Sequence, residues 1–237
     1  MNAKTAEKLF TFVLGCKKNA RIKLLGDSIT HGVGGTGWEQ KGEVIVEGWA
    51  QSPDGHGWAN LFRDYVSQKY GATVINKACT GTNVEFIINN FSKLVDEEDD
   101  IVLCTIGTNN RQQHFCEGDK KSREVLLNTF YENVKKLYRL FQESGIPVVF
   151  MANIPASEEN EQDGVDYWRI LHMCDIRDVY QKVAQECGAT VISLYDRFIE
   201  YCCTNDVTVG SLRIDGLHPN DEGYTVVYNW ILTALAL

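Results

Sequence analysis

Short apolar runs alternate with longer stretches of helical spacing along this chain. Arg21–Gly26, Ala72–Asn76, Ile101–Ile106, Pro147–Met151 and Thr190–Leu194 are five or six residues long and mostly apolar. Near-continuous apolarity at that length marks strands buried on both faces. Between them the period changes. Trp58–Tyr70 puts Trp58, Leu61, Phe62, Tyr65 and Val66 on one helical face, and Val84–Leu94 also reads as a helix. Ser122–Ser144 aligns Val125, Leu126, Phe130, Val134, Leu137, Leu140 and Phe141 and stops at Gly145. Val165–Cys187 stops at Gly188, as helices that end on a left-handed glycine do. A short helix over Asp196–Cys203 and a last one over Pro219–Leu237 complete the pattern.

Five buried strands separated by helices give an α/β protein with one parallel sheet covered on both faces. Right-handed crossovers narrow this to a doubly wound, flavodoxin-like layer. There is no repeat, low-complexity tract or proline-rich linker, so residues 1–237 are expected to form a single domain. One segment stands out, an insertion at residues 31–57 (His31–Gly57) with eight glycines and a small apolar patch at Val44–Val46. A loop of that length usually has a function.

Composition narrows the field. Hydrophobic residues are 44% and charged residues 23% of the 237, which is incompatible with a disordered chain. No apolar run approaches the ~20 residues of a membrane-spanning helix. The net charge of −9 argues against nucleic acid and against an anionic membrane surface as partners. The eight cysteines contain no C-x-x-C pair, so zinc-ribbon spacing is absent. Their scatter points to reduced thiols and a cytoplasmic protein. Leu9–Cys16 offers an alternative, a lipoprotein-type leader ending at Cys16, although the same stretch reads as an amphipathic helix over residues 5–15. The acidic runs Asp96–Asp100 and Glu158–Asp163 read as solvated loops.

In open parallel sheets ligands bind at the carboxyl ends of the strands. The first strand exits into Gly26-Asp27-Ser28-Ile29, the second into Asn76–Asn83 with Gly81, and the third into Gly107-Thr108-Asn109-Asn110. Asp215-Gly216-Leu217-His218-Pro219-Asn220 precedes the last helix. That rim collects a hydroxyl, an imidazole and a carboxylate three residues from the imidazole, the set needed for a nucleophile, its base and an orienting group. The N–H groups of Ser28 and Gly81 and the amide of Asn109 are candidate oxyanion donors.

These four blocks, in this order and at these positions, resemble those of the SGNH (GDSL-type) hydrolases, and the resemblance runs from Arg21 to Leu237. It implies a three-layer α/β/α sandwich and no cofactor or metal. It implies Ser28 as nucleophile, His218 as base, Asp215 as its support, and Ser28, Gly81 and Asn109 as the oxyanion hole. A histidine base works only when neutral, so activity is expected to fall in acid.

Two features depart from the family. Its third block usually reads G-x-N-D, and Asn110 stands in place of the aspartate. The 31–57 insertion is longer than in simple members. Its Trp38 and Trp49, with the neighbouring Trp58, form a sugar platform or else pack the loop onto the body. Asp27, His31, Trp38 and Trp49 are candidate substrate contacts, although a solvent-facing loop position also suits His31. His56, His114 and His172 read as structural or exposed. Gly32, Gly34 and Gly37 match G-x-G-x-x-G, but they start several residues past the strand and no clear helix follows. No P-loop, G-x-S-x-G or H-E-x-x-H motif occurs.

The expected activity is hydrolysis of short-chain, chiefly acetyl, esters on a small-molecule or glycan substrate through an acyl-enzyme. No basic patch or amphipathic surface helix suits a lipid interface. Alternatives with the same catalytic set are an O-acyltransferase and a lysophospholipase or thioesterase. A non-catalytic carbohydrate-binding module is a further one.

Overall fold

Strand β1 (Arg21–Gly26) lies between β2 (Thr73–Asn76) and β3 (Ile101–Thr105), and β4 (Val148–Ala152) and β5 (Thr190–Ser193) extend the sheet to give the order β2-β1-β3-β4-β5, all parallel. The computed structural model describes residues 3–38, 55–111, 122–156 and 169–237. The strand register explains why the runs are apolar throughout. Ile22, Leu24, Ile101, Leu103, Val149, Met151 and Ile192 face one layer, and Leu25, Val102, Cys104, Val148, Phe150 and Val191 face the other. Period-two alternation thus places apolar side chains on both faces, each needing a helical cover.

The first layer holds α1 (Ala3–Cys16), α3 (Trp58–Tyr70), α8 (Leu194–Asn205) and α9 (Asp221–Leu235), and the other holds α4 (Val84–Asn89), α5 (Phe91–Leu94), α6 (Arg123–Ser144) and α7 (Met173–Cys187). This is the expected sandwich. The helix ends follow local chemistry. Ser122 Oγ accepts from Val125 N–H to start α6, and left-handed glycines 71, 145 and 188 stop α3, α6 and α7. Residues 5–15, read as leader or helix, lie within α1, which buries Ala6, Phe10 and Val13 in the core. Among the described residues no helix is long and apolar enough to cross a membrane.

Several expectations need correction. The helix read over Val84–Leu94 is two helices. Asn90 leaves helical geometry (φ −117°, ψ 18°) while its Nδ2 donates to the Phe86 carbonyl at 2.9 Å, local bonding that competes with a continuous helix. The seventh helix begins at Met173, because His172 is its extended N-cap and exchanges capping hydrogen bonds with Asp175. After β1, where a loop or a helix was open, the chain forms the four-residue helix α2 (Ser28–His31). The run Asp96–Asp100 is not simply solvated. Asp99 is buried and lies 3.1 Å from the fully buried Lys23, and Arg21 reaches Asp96, Glu98 and Asp99 at 2.8–3.2 Å. Two cations at the start of a buried strand draw the acids onto them. The run Glu158–Asp163, the patch Val44–Val46, Trp49, His114 and the 39–54 part of the insertion lie outside the described residues.

Candidate active site

The strand order reverses between β1 and β3, the position where open parallel sheets place their ligands. The site is built on this switch point. Gly26 ends β1 with no room for a side chain, since a Cβ would lie 2.8 Å from the Thr105 carbonyl and collide with Thr30. Asp27 then caps α2, its Oδ1 accepting from Ile29 N–H at 3.0 Å. The cap is therefore Asp27, which frees the Ser28 hydroxyl for another partner.

That partner is His218. Its Nε2 lies 2.8 Å from Ser28 Oγ, and its Nδ1 lies 2.6 Å from Asp215 Oδ2. A carboxylate only accepts, so Nδ1 carries the proton and Nε2 is left to accept from the serine O–H. Asp215 Oδ1 accepts from the backbone N–H of Leu217 at 3.0 Å and of His218 at 2.7 Å. Partial burial pushes the Asp215 carboxyl up, but the hydrogen bonds from His218 and Leu217 outweigh it and hold the group below its usual range. The turn carrying both residues is braced by Arg213, which donates to the Leu217 carbonyl at 2.6 Å and to the Pro155 carbonyl, with its guanidinium over Phe198. Asn220 caps α9 through Gly223 N–H at 3.0 Å and so fixes the chain just beyond His218.

The loops after β2 and β3 carry the other expected donors. Gly81 has φ +79° and open space around its Cβ position, so conformation rather than crowding selects glycine there. Asn109 is exposed, and its Nδ2 donates to the Thr82 carbonyl at 2.9 Å, which ties its loop to that of Gly81. The Asn76 amide bridges the first two loops, donating to the Thr30 carbonyl at 3.0 Å and accepting from Ala78 N–H at 2.9 Å.

The expected substrate contacts fare differently. Asp27 has no exposed surface, and burial pushes its carboxyl up, so it supports Ser28 from beneath instead of meeting a ligand. Asn153, at the end of β4, donates to Thr108 Oγ1 at 2.9 Å and to Asp27 Oδ2 at 3.4 Å. His31 is buried at the end of α2, not solvent-facing, because α2 carries it inward. Its Nδ1 accepts from Trp38 Nε1 at 3.3 Å, and burial lowers its pKa. Trp38 is half-buried against that ring. Trp58 belongs to the core beside Phe62 and forms no platform. Among the described residues no His, Cys, Asp and Glu cluster suits a metal ion. A separate groove of about 840 Å³ along β5, lined by Gln181, Ser193 and Trp230 among others, lies away from Ser28 and His218.

Arg213 and Asn153 are the residues that sequence reasoning missed. The bonds from Arg213 to Pro155 and from Asn153 to Asp27 span 58 and 126 positions, and no local signal announces them.

Residues 24–226 match the profile of the GDSL-like lipase/acylhydrolase family. No curated protein sequence matches the chain. Solved structures share its fold. The acetylxylan esterase Axe2 of Geobacillus stearothermophilus is 17% identical, with a TM-score of 0.67 over 93% of this chain and 97% of that one. The acetyl xylan esterase AlAXEase is 18% identical, with a TM-score of 0.66 over 91% and 99%. LAE5, an alpha/beta hydrolase from the metagenome of Lake Arreo, is 20% identical, with a TM-score of 0.66 over 92% and 95%.

Proposed function

The chain belongs to the GDSL-like lipase/acylhydrolase family and is a carboxylic ester hydrolase, and on that basis we propose that it removes short acyl groups, chiefly acetyl, from a carbohydrate through an acyl-enzyme on Ser28. The observation that carries this reading is the unbroken line Ser28 Oγ–His218 Nε2 at 2.8 Å and His218 Nδ1–Asp215 Oδ2 at 2.6 Å.

Ser28 attacks the ester carbonyl as its proton passes to His218 Nε2. Asp215 holds the ring by Nδ1–H and stabilises the imidazolium. The oxyanion accepts from the N–H groups of Ser28 and Gly81 and from Asn109 Nδ2, which has a second N–H beyond the one given to Thr82. Collapse breaks the C–O bond, and His218 returns the proton to the leaving alcohol. Water then attacks the acyl-enzyme with His218 as base, releasing the acid and restoring the serine.

The carbohydrate assignment draws on two of the fold's neighbours being acetylxylan esterases and on Trp38, whose Nε1 donates to His31, three residues beyond Ser28. The test is hydrolysis of p-nitrophenyl acetate, butyrate and octanoate and of acetylated xylo-oligosaccharides by wild type and Ser28→Ala. Acetate release that falls with chain length and vanishes in the variant is the expected result. Preference for octanoate would overturn the acyl-chain assignment, and full turnover by Ser28→Ala would overturn the mechanism.

A further inference from the structure

Asn110 occupies the position where the family's third block usually carries an aspartate, and its surroundings show why an amide fits. Its Oδ1 accepts from Val84 N–H at 3.1 Å, at the start of α4, and its Nδ2 donates to Glu85 Oε2 at 2.7 Å. The other Glu85 oxygen accepts from Asn133 Nδ2 of α6 at 2.8 Å. Glu85 can only accept and Val84 N–H can only donate, so the Asn110 amide has one orientation that satisfies both. An aspartate here would keep the bond to Val84 but set its second oxygen against the Glu85 carboxylate, a like-charge contact.

Glu85 lies in the first turn of α4, just past the loop that carries Gly81, and Asn110 directly follows Asn109 in the loop after β3. Asn109 Nδ2 donates to Thr82 between Gly81 and α4, and the next residue, Asn110, grips the first turn of α4. On the other side, Asn110 N–H donates to the Gly107 carbonyl at 2.9 Å, and Gly107, at φ +127°, has Ile176 and Phe130 where a Cβ would go. The third loop is therefore fixed at its base by packing and at its tip by Glu85.

We infer that Glu85 and Asn110 are positioning residues that hold the Asn109 amide and the Gly81 N–H in register for the oxyanion. This rests on the oxyanion roles proposed above. Such a clamp acts on the transition state more than on ground-state binding, so its loss is read in kcat and not in KM.

The experiment measures kcat and KM on p-nitrophenyl acetate for Asn110→Asp, Glu85→Gln, the double variant and Asn109→Ala. Asn110→Asp is expected to lose about 10–100-fold in kcat with KM little changed, the size of a donor misplaced by about an ångström. The added Glu85→Gln supplies an N–H to the new carboxylate, and the double variant is expected to recover to within about threefold of Glu85→Gln alone, a coupling that independent sites do not show. Full kcat in Asn110→Asp, or no recovery in the double variant, overturns the clamp. If Asn110→Asp does not fold, Glu85→Ala replaces it, with about a tenfold loss in kcat expected. Unchanged kcat there overturns the proposal equally. Asn109→Ala separates the two layers. Full activity in that variant removes the oxyanion reading itself, whereas a crippled Asn109→Ala beside an intact Asn110→Asp removes the clamp alone.

Discussion

At the amino end of the sheet Lys23 and Asp99 meet at 3.1 Å with both side chains shut away from water, while at the carboxyl end His218 and Asp215 meet at 2.6 Å with the carboxylate 48% exposed. Arg21, Asp96, Glu98, Lys17 and Asp100 extend the amino-end cluster, and each charge in it finds an opposite one. The carboxyl-end network is shorter and ends on a neutral hydroxyl, Ser28 Oγ. An acid–base pair whose last member is another fixed charge has no proton to hand on, and its effect is on stability. The pair that ends on a hydroxyl has a proton within its reach, as the acyl-enzyme route proposed for Ser28 requires. The chemistry thus follows from where the hydrogen-bond chain stops, not from how much charge it holds.

The sharpest way to break this comparison is to remove the last atom at the catalytic end. Ser28→Ala is expected to lower kcat by up to ~10⁶-fold while leaving thermal stability near wild type, as loss of a serine nucleophile does. Ester turnover and a melting curve on the same sample check both halves. At the other end the signs exchange. Lys23→Ala leaves the buried Asp99 with Arg21 as its remaining cation and is expected to cost about 1–3 kcal/mol of stability, with kcat per folded molecule unchanged. The double variant Lys23→Met/Asp99→Leu should recover much of that loss, because two apolar groups need no desolvation. Denaturant titration of the three proteins tests it, and a double variant no better than the single would place the cost elsewhere.

Asn109→Ala is expected to lower kcat about 10²–10³-fold, the usual cost of one oxyanion donor. It sharpens the comparison from inside the catalytic rim, because Asn109 is neutral and exposed and its loss should leave the melting temperature almost unmoved.

These two ends were not equally legible in the sequence. Strands buried on both faces announce themselves by continuous apolarity, and Gly71, Gly145 and Gly188 mark helix ends by their own conformation. Ser28, Asp215 and His218 stood out because each lies in a short block at a strand exit or helix entry. What stayed hidden depends on pairing across the chain. Arg21 and Asp99 are 78 positions apart, and Asp27 and Asn153 are 126 apart. Acidity in Asp96–Asp100 gives no hint that Lys23 waits on a neighbouring strand. For His31 the error was local, since a four-residue helix is too short to leave a period, and that helix carries the ring inward.

His31 also supplies the smallest effect that still separates the two ends. Burial holds its pKa below the ordinary histidine value, and the Trp38 Nε1–H bond to Nδ1 favours the neutral ring. Above about pH 6.5 the ring is neutral in both folded and unfolded chains, so it makes no difference to stability. As pH falls through that value the unfolded chain takes a proton that the folded chain refuses, and stability declines until the folded pKa is passed. The amino-end cluster behaves otherwise. Its members are Lys, Arg and carboxylates, and Lys23 and Arg21 hold the Asp96 carboxyl below its usual range. The Asp96 contribution is therefore present above the ordinary carboxylate range and is lost only as pH falls through it into stronger acid. Melting temperatures between pH 8 and pH 5 for wild type and His31→Phe read the difference. The wild-type decline should be shallower in the variant, while Lys23→Met/Asp99→Leu should show the wild-type slope over this range. An equal slope in His31→Phe and wild type would mean that the folded protein accepts the proton at His31, and the carboxyl end would then lose its distinct pH window.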